Sequence, residues 1–164
     1  MRKDEIIGLQ KHGKICALTG HRALKKDFNE KKLKLLFVNL IEKGYKVFLC
    51  GMAVGFDTAC CKVLSQLKLK YDIKIVACVP FIGQERSFSY EQKEEYYFLL
   101  DECDEKVIVS EYSVKSSYLE RNRVMVDNCD LLVSYLYENK GGTFYTVNYA
   151  KKLNKEIISY YHVA

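Results

Sequence analysis

The alternation of strand-like and helix-like segments is the feature that most constrains the fold of this chain. Short apolar runs rich in β-branched residues recur, and longer segments with the apolar spacing of a helix separate them. Parallel strands need long connections, so this alternation predicts parallel strands joined by crossover helices. The predicted strands cover residues 14–20, 46–51, 73–79, 106–110, 130–137 and 156–161, and the predicted helices cover residues 28–43, 57–69, 88–103, 119–129 and 143–153.

The predicted strands are almost continuously apolar, which indicates a sheet covered on both faces. The expected fold is therefore α/β: a three-layer, doubly wound, Rossmann-like domain with a mainly parallel sheet. A chain of 164 residues suits one domain over residues 1–164, with its core at about 14–161. Open sheets of this kind bind ligands at the carboxyl ends of their strands, beside the point where the strand order reverses.

Composition narrows the classes of function. Hydrophobic residues make up 49% of the chain and charged residues 29%, and no apolar stretch approaches the length of a membrane span. The polar start is unlike a signal peptide, which predicts a cytoplasmic protein without membrane contact. Seven scattered cysteines lack zinc-site spacing and are expected to be buried free thiols, with no metal site. The net charge of +5 is mild, and the lysines at 25–34 are explained by the solvated face of a helix.

Two of the predicted strands end in glycine-containing segments. "TGHR" follows the first strand, where Gly20 permits a tight turn and His21 and Arg22 supply a titratable and a permanently cationic group. "GMAVGFD" follows the second strand, and its glycines allow close approach of the backbone. Asp57 either caps the next helix or reaches a ribose hydroxyl. Ordinary turns with solvated polar residues are the alternative interpretation of both segments.

The fifth predicted strand is flanked by arginines and by a glycine pair. Arg121 and Arg123 are two positions apart, so at most one of them points to the ligand edge, where a guanidinium can clamp a phosphate. Structural ion pairing is the alternative for each. Gly141 and Gly142 precede the last helix, either as turn residues or as a loop whose backbone N–H groups close on a phosphate.

Neither common nucleotide-binding fingerprint is present. The chain lacks both G-x-G-x-x-G and G-x-x-x-x-G-K-[ST], which removes the specific case for a dehydrogenase or an ATPase. Four strand ends nevertheless supply glycines, cations or hydroxyls to the edge where such sheets bind anions. Together they favour a ligand that carries phosphate.

In this order, the motifs "TGHR", "GMAVGFD", "VPF" with "GQ", "RNRVMVDNCDLLVSYLY" and "GGTFYTVNYAKK" resemble the YpsA-like family of bacterial proteins in the SLOG superfamily. They span nearly the whole chain. The resemblance implies a Rossmann-like pocket for a nucleotide or a nucleotide-derived ligand of the ADP-ribose or NAD type. The residues carried over by this match are Thr19, Gly20, His21, Arg22, Gly51, Ala53, Gly55, Asp57, Arg121, Asn122, Gly141, Gly142 and Thr143.

Two positions depart from the family pattern. Ala23 stands where proline is usual after "TGHR", and Phe56 stands where a smaller valine is usual before the aspartate. Either residue could reshape the pocket. The Lonely Guy phosphoribohydrolases of the same superfamily carry a motif that resembles P-G-G-x-G-T-x-x-E, and "NKGGTFYTVNYA" lacks its proline and its glutamate.

Three functions follow as hypotheses. The first is a domain that senses or sequesters a nucleotide-derived small molecule, with a homodimer implied by the resemblance. The second is an enzyme that cleaves or transfers N-glycosidic bonds, with Asp57 or Glu111 as its carboxylate. The third is a single-stranded DNA binder, because the superfamily includes a DNA-processing protein. The tyrosines disfavour nucleic acid, since most of them fall at apolar helix and strand positions where core packing is expected.

Overall fold

Six parallel strands form one sheet in the computed structural model, which describes residues 1–162. The strands are β1 (Lys14–Gly20), β2 (Tyr45–Cys50), β3 (Lys74–Val79), β4 (Glu105–Ile108), β5 (Leu131–Tyr135) and β6 (Glu156–Ser159). The α-helices are α1 (Glu30–Glu42), α2 (Phe56–Leu67), α3 (Tyr90–Glu102), α4 (Ser117–Asp127) and α5 (Gly141–Lys152). Short 3-10 helices cover Lys3–His12, Gln84–Ser87 and Tyr160–His162.

The strand order is β4-β3-β2-β1-β5-β6, so the direction of winding reverses between β1 and β5. The register pairs Gly20 with Tyr135 at the carboxyl ends of these two strands. In doubly wound sheets this reversal point opens a crevice, because the chain leaves the two neighbouring strands toward opposite faces of the sheet.

The core has two halves, one on each face of the sheet. Helices α1, α2 and α3 bury residues such as Phe37 and Leu64 against one face. Helices α4 and α5 bury residues such as Val126 and Val147 against the other. The predicted three-layer α/β fold is therefore confirmed. The exposed Lys31 and Lys34 on α1 fit the predicted solvated helix face.

The structure differs from the predicted elements at several places, of which two bear on the core and the site. The 3-10 helix at Lys3–His12 was not predicted, and it buries Ile6 and Leu9 against the α4 and α5 side of the core. The fifth strand ends at Tyr135, two residues before its predicted end. Beyond it, the Tyr137 hydroxyl donates to the carbonyl oxygen of Ala23 at 2.8 Å, which ties this segment to the loop after β1.

The seven cysteines are free thiols, and all except the half-buried Cys103 are buried, as expected. Within residues 1–162, no group of three or more histidine, cysteine or acidic side chains is arranged to hold a metal ion. In the same part of the chain, no helix is both long enough and apolar enough to cross a membrane.

Candidate functional site

A cavity of about 520 Å³ lies at the reversal point, where the carboxyl end of β1 faces α4 and the first turn of α5. We call it the β1–β5 cavity. Eleven of the thirteen residues predicted as a binding site line it. They are Thr19, Gly20, His21, Arg22, Ala53, Asp57, Arg121, Asn122, Gly141, Gly142 and Thr143.

The first turn of α5 presents open backbone to the cavity. Gly141 has φ +85°, in the left-handed region that favours glycine. A Cβ on Gly142 would meet only the Asn122 side-chain nitrogen, at 3.9 Å. No side chain caps this helix terminus, so its first N–H groups are available to a ligand. Together with the helix dipole, they favour an anion here.

The backbone N–H and carbonyl groups of His21 are both hydrogen-bonded to neighbouring segments. Its N–H donates to the Tyr135 carbonyl at 3.1 Å, and its carbonyl accepts from Phe56 N–H at 3.2 Å. Its ring lies 4.2 Å from the ring of Tyr137, and its Nε2 accepts from the backbone N–H of Glu138 at 3.3 Å. Burial lowers the pKa of His21. Because Nε2 accepts this hydrogen bond, the proton of the neutral imidazole lies on Nδ1.

Arg22 supplies an available positive charge at the mouth of the cavity. Its side chain is exposed, and its guanidinium carbon lies 5.4 Å from the centroid of the Tyr118 ring. Among residues 1–162, no carboxylate lies within salt-bridge distance of it. An anionic ligand would meet this arginine without breaking an ion pair among the described residues.

Arg121 has a largely structural environment. It is 4% exposed, and its Nη1 donates to the carbonyl oxygens of Gly51 and, at 3.1 Å, of Cys78. Its Nε donates to Asn122 Oδ1 at 2.7 Å. The guanidinium thus ties the ends of β2 and β3 to α4, and only Nη2 is without a hydrogen bond to residues 1–162. Arg123 is exposed and donates to the hydroxyl of Tyr145 at 3.1 Å, so Arg121 is the arginine of this pair that lines the cavity.

Asp57 is the carboxylate of the β1–β5 cavity. It lies in the first turn of α2 and is 6% exposed, and its Oδ2 accepts from Ala53 N–H at 3.2 Å. Burial raises its pKa to about 6, and the nearby positive charge of Arg121 opposes this shift. Glu111, the other carboxylate considered from the sequence, is exposed and does not line the cavity.

Gly51 and Gly55 are the two predicted site residues that do not line the cavity. A Cβ on Gly51 would lie 2.7 Å from Arg121 Nη1 and 2.9 Å from Asp57 Oδ2. Gly55 has φ +85°, and a Cβ there would overlap the carbonyl group of Arg22. Both glycines therefore allow side chains or backbone of the lining residues to approach closely, although neither glycine lines the cavity itself.

Phe56, which departs from the usual valine, lies in the core and does not line the cavity. Its ring stacks on Tyr135 with centroids 5.3 Å apart and packs directly against the α-carbon of Gly20. The larger side chain thus fills space below the turn after β1. Ala23 contributes its carbonyl oxygen as the acceptor for Tyr137.

Sequence reasoning missed five residues that line the cavity. Tyr118 is the most informative of them, because it sits three positions before Arg121 on α4 and therefore shares a helix face with it. Tyr145 lies three positions after Gly142 in the first turns of α5 and therefore shares a helix face with it. Helical spacing from the predicted arginine and glycine motifs could have identified both. The five are Leu18, Lys115, Tyr118, Leu119 and Tyr145.

The fold and the position of this cavity define a Rossmann-like domain with its candidate site at the reversal point of the sheet. The model of the YpsA family, described as the YspA SLOG family, matches residues 17–163. The chain therefore belongs to this SLOG family, as the sequence motifs predicted.

Two relatives illustrate the range of similarity. The uncharacterized SPbeta prophage-derived protein YoqJ of Bacillus subtilis is 33% identical over 135 residues, which cover 74% of this chain and 79% of YoqJ. A UPF0398 protein of Bacillus licheniformis is 26% identical over 157 residues, which cover 87% of this chain and 86% of that protein.

Two solved structures share the fold. DNA processing protein A (DprA) from Streptococcus pneumoniae superposes with a TM-score of 0.65 at 18% identity over 96% of this chain, which spans about half (52%) of that protein. DNA processing protein A from Helicobacter pylori, whose structure concerns its single-stranded DNA binding mode, gives a TM-score of 0.66 at 18% identity. It matches 93% of this chain and 67% of its own length. At this level of identity the likeness shows the fold alone.

Proposed function

We propose that the protein binds a phosphate-bearing, nucleotide-derived small molecule of the ADP-ribose or NAD type in the β1–β5 cavity and acts as a sensing or sequestering domain. The observation that carries this proposal is the uncapped first turn of α5, which opens into the cavity at Gly142 with no side chain in the way. Membership of the SLOG family supports it, because the resemblance to that family implies a pocket for a nucleotide or a nucleotide-derived ligand.

The phosphate would lie against the N–H groups of Gly142 and Thr143. Arg22 at the mouth of the cavity and the free Nη2 of Arg121 would add charge-assisted donors. Phosphate at a helix N-terminus gains both from these N–H donors and from the dipole. The volume of about 520 Å³ lies in the range of small-molecule sites.

The rings of Tyr118 and Tyr145 would contact the organic part of the ligand. Both tyrosines are half-buried and line the cavity, so each keeps part of its ring available. Arg22 already lies over the Tyr118 ring, which positions a cation beside a stacking surface. A nucleobase or a ribose edge suits this combination of flat apolar surface and nearby charge.

A thermal-shift panel tests the proposal. NAD, ADP-ribose, mononucleotides and cyclic nucleotides are each added to the protein. At about one hundred times its dissociation constant, a true ligand stabilises the fold by roughly 2.7 kcal/mol, or about 5–10 °C for a domain of this size. The absence of a shift from every compound would contradict a nucleotide-derived ligand.

Gly142→Asp locates the binding to the first turn of α5. The site of the new Cβ is open, and an acidic side chain in a first helical turn is compatible with the dipole, so we expect a folded variant that repels phosphate and no longer binds. Gly8→Asp is the matched control, because Gly8 also has open space around it and lies in the N-terminal 3-10 helix. Undiminished affinity in Gly142→Asp would contradict the phosphate cradle.

Single-stranded DNA is a second candidate ligand. The fold is shared with DNA processing protein A, and Lys115, Arg22 and Tyr118 place two cations and a ring at the mouth of the cavity. A fluorescent oligothymidine titrated at several salt concentrations tests this candidate. Affinity that falls steeply with salt supports DNA binding, whereas weak binding with a flat salt response counts against it.

N-glycosidic bond cleavage is the enzymatic alternative. Asp57 is its candidate carboxylate, because it lines the cavity and its raised pKa of about 6 suits proton transfer near neutral pH. Release of free base from nucleotides with the enzyme in excess, abolished by Asp57→Asn, would support this activity. Failure to release base over hours would count against it.

A further inference from the structure

We propose that the protein has a second ligand site, for a small molecule that combines a flat apolar ring with one anionic group. The site is a cavity of about 580 Å³ at the carboxyl ends of β5 and β6, which we call the β5–β6 cavity. Its lining includes Lys25, Ser134, Tyr137, Lys151, Tyr161 and His162. None of them belongs to the predicted nucleotide site.

One buried hydroxyl group of this cavity lacks a hydrogen-bond partner among the described residues. Ser134 is 3% exposed and lines the cavity. The hydroxyl of Tyr161 is also buried, and no group among the described residues pairs with it. Buried polar groups are nearly always hydrogen-bonded in native proteins. The unpaired Tyr161 hydroxyl beside this cavity therefore points to a polar ligand atom that would bond to it.

The charges of the cavity favour an anion. Lys25 and Lys151 both line it, and neither has a carboxylate within salt-bridge distance among residues 1–162. Lys25 Nζ is instead held 4.4 Å from the centroid of the Tyr137 ring. Asp27 is the single carboxylate in the lining, so the cations outnumber it.

The remaining walls favour a flat apolar body. Leu136, Val147 and Ile157 form an aliphatic side, and the rings of Tyr137 and Tyr161 also line the cavity. Aromatic rings bury large apolar area against such walls. An aromatic carboxylate and a nucleoside monophosphate share the required chemistry, which is one ring system and one acid group.

The two cavities are separated by one pair of rings. His21 lines the β1–β5 cavity and Tyr137 lines the β5–β6 cavity, and their ring centroids are 4.2 Å apart. The second site uses different cations and different hydroxyls from the first. Its existence therefore does not depend on the proposed function of the β1–β5 cavity.

NMR of the imidazole signals observes the second site directly. His162 lines the β5–β6 cavity and reports it, and His12 lies in the N-terminal 3-10 helix and serves as the internal reference. The probes are 4-hydroxybenzoate and AMP, titrated to about 10 mM, which is above the dissociation constant of even weak sites. We expect a saturable shift of His162 and an unchanged His12.

The pattern of shifts distinguishes the two ligand sources. A His162 shift from 4-hydroxybenzoate alone assigns an aromatic carboxylate, and one from AMP alone assigns a phosphorylated nucleoside. Either response should persist in Gly142→Asp, which removes only the first site. A His162 signal that neither probe moves would overturn the second site.

Neighbouring lysines supply the control variants. Lys151 lines the cavity, whereas Lys152 is exposed and does not. We expect Lys151→Gln to weaken probe binding about tenfold, as loss of a charge-assisted contact does, and Lys152→Gln to leave it unchanged. Ser134→Ala should also weaken binding. Equal effects of the two lysine variants would show non-specific charge attraction and overturn the proposal.

Discussion

The buried guanidinium of Arg121 and the buried carboxyl of Asp57 both lie close to the α-carbon of Gly51. A Cβ at that position would lie 2.7 Å from Arg121 Nη1 and 2.9 Å from Asp57 Oδ2. The absence of a side chain at Gly51 thus lets Arg121 of α4 and Asp57 of α2 pack against the end of β2. Both side chains line the β1–β5 cavity, so we expect this arrangement to affect both stability and binding.

We expect Gly51→Ala to destabilise the protein by about 1–3 kcal/mol, because the added methyl group forces apart groups that are already in place. The urea midpoint measures the effect. Gly8→Ala is the control, since nothing lies within 4 Å of its Cβ position. An unchanged urea midpoint in Gly51→Ala would show that the Arg121 and Asp57 side chains can move away from the methyl group with little loss of stability.

Asp57 should make stability depend on pH. Its pKa in the folded protein, about 6, is above the ordinary value of 3.8, so the native state binds more protons than the unfolded state between these pH values. The contribution of Asp57 to stability is therefore fully present below about pH 4 and is lost as the pH rises through about 6, a loss of about 3 kcal/mol.

Comparison with Asp57→Asn isolates this contribution from other titrating groups. We expect the free energy of unfolding of the wild type to fall relative to that of Asp57→Asn between pH 4 and pH 7, and the difference to become constant above pH 7. Urea unfolding at each pH gives the curve. Parallel curves for the two proteins would mean that Asp57 titrates in the ordinary range.

Arg22→Gln should weaken binding of a phosphate-bearing ligand about tenfold or more, because it removes an unpaired cation from the mouth of the cavity. We expect little change in the unfolding midpoint, since the side chain is exposed. Calorimetric titration with the compound found in the thermal-shift panel measures the loss. Arg86→Gln, an exposed arginine outside the cavity, should bind like the wild type.

Gly20 and Phe56 should be energetically coupled. Gly20→Ala places a methyl group into the Phe56 ring and should destabilise the fold, and Phe56→Val removes a buried ring that stacks on Tyr135 and should cost about 1–3 kcal/mol. In the double variant the valine makes room for the methyl group. The combined loss in the urea midpoint should therefore be smaller than the sum of the single losses.

If the loss of the double variant equals the sum of the single losses, then the backbone moves to accommodate the methyl group at Gly20 and the Phe56 ring does not. Ligand affinity is the second readout of the Phe56→Val variant. Phe56 does not line the β1–β5 cavity, so we expect the affinity of this variant to match the wild type.

The fold could be predicted from the sequence because the spacing of its apolar residues clearly distinguishes strands from helices. Apolar runs such as 131–136 and helical spacing such as 33–41 leave few alternatives to a parallel sheet with crossover helices. Strand ends in such a sheet converge, which brought together distant residues such as Arg22, Asp57 and Gly142. Their role in binding is a prediction that the experiments above test.

Other features depend on contacts that no local pattern encodes. Burial of the Arg121 guanidinium follows from the carbonyl groups of two strands that meet it from far along the chain. Tyr118 lies one position before the predicted helix 119–129 and Tyr145 lies within the predicted helix 143–153, and neither position by itself distinguishes a core residue from a cavity wall. The β5–β6 cavity joins Lys25, Lys151 and Tyr161, which no spacing rule relates.

The reversal of strand order also bears on how the chain acquires its shape during synthesis. His21 and Glu138, which bond across the reversal point, are 117 positions apart, so β1 emerges from the ribosome long before its partner β5. Until then one edge of a central, apolar strand lacks its neighbour, a state prone to wrong pairing. The β1–β5 cavity cannot exist in such a nascent chain. Only a molecule translated through α5 can take up a ligand there, and capture of that ligand would favour the finished polypeptide over its incomplete precursors.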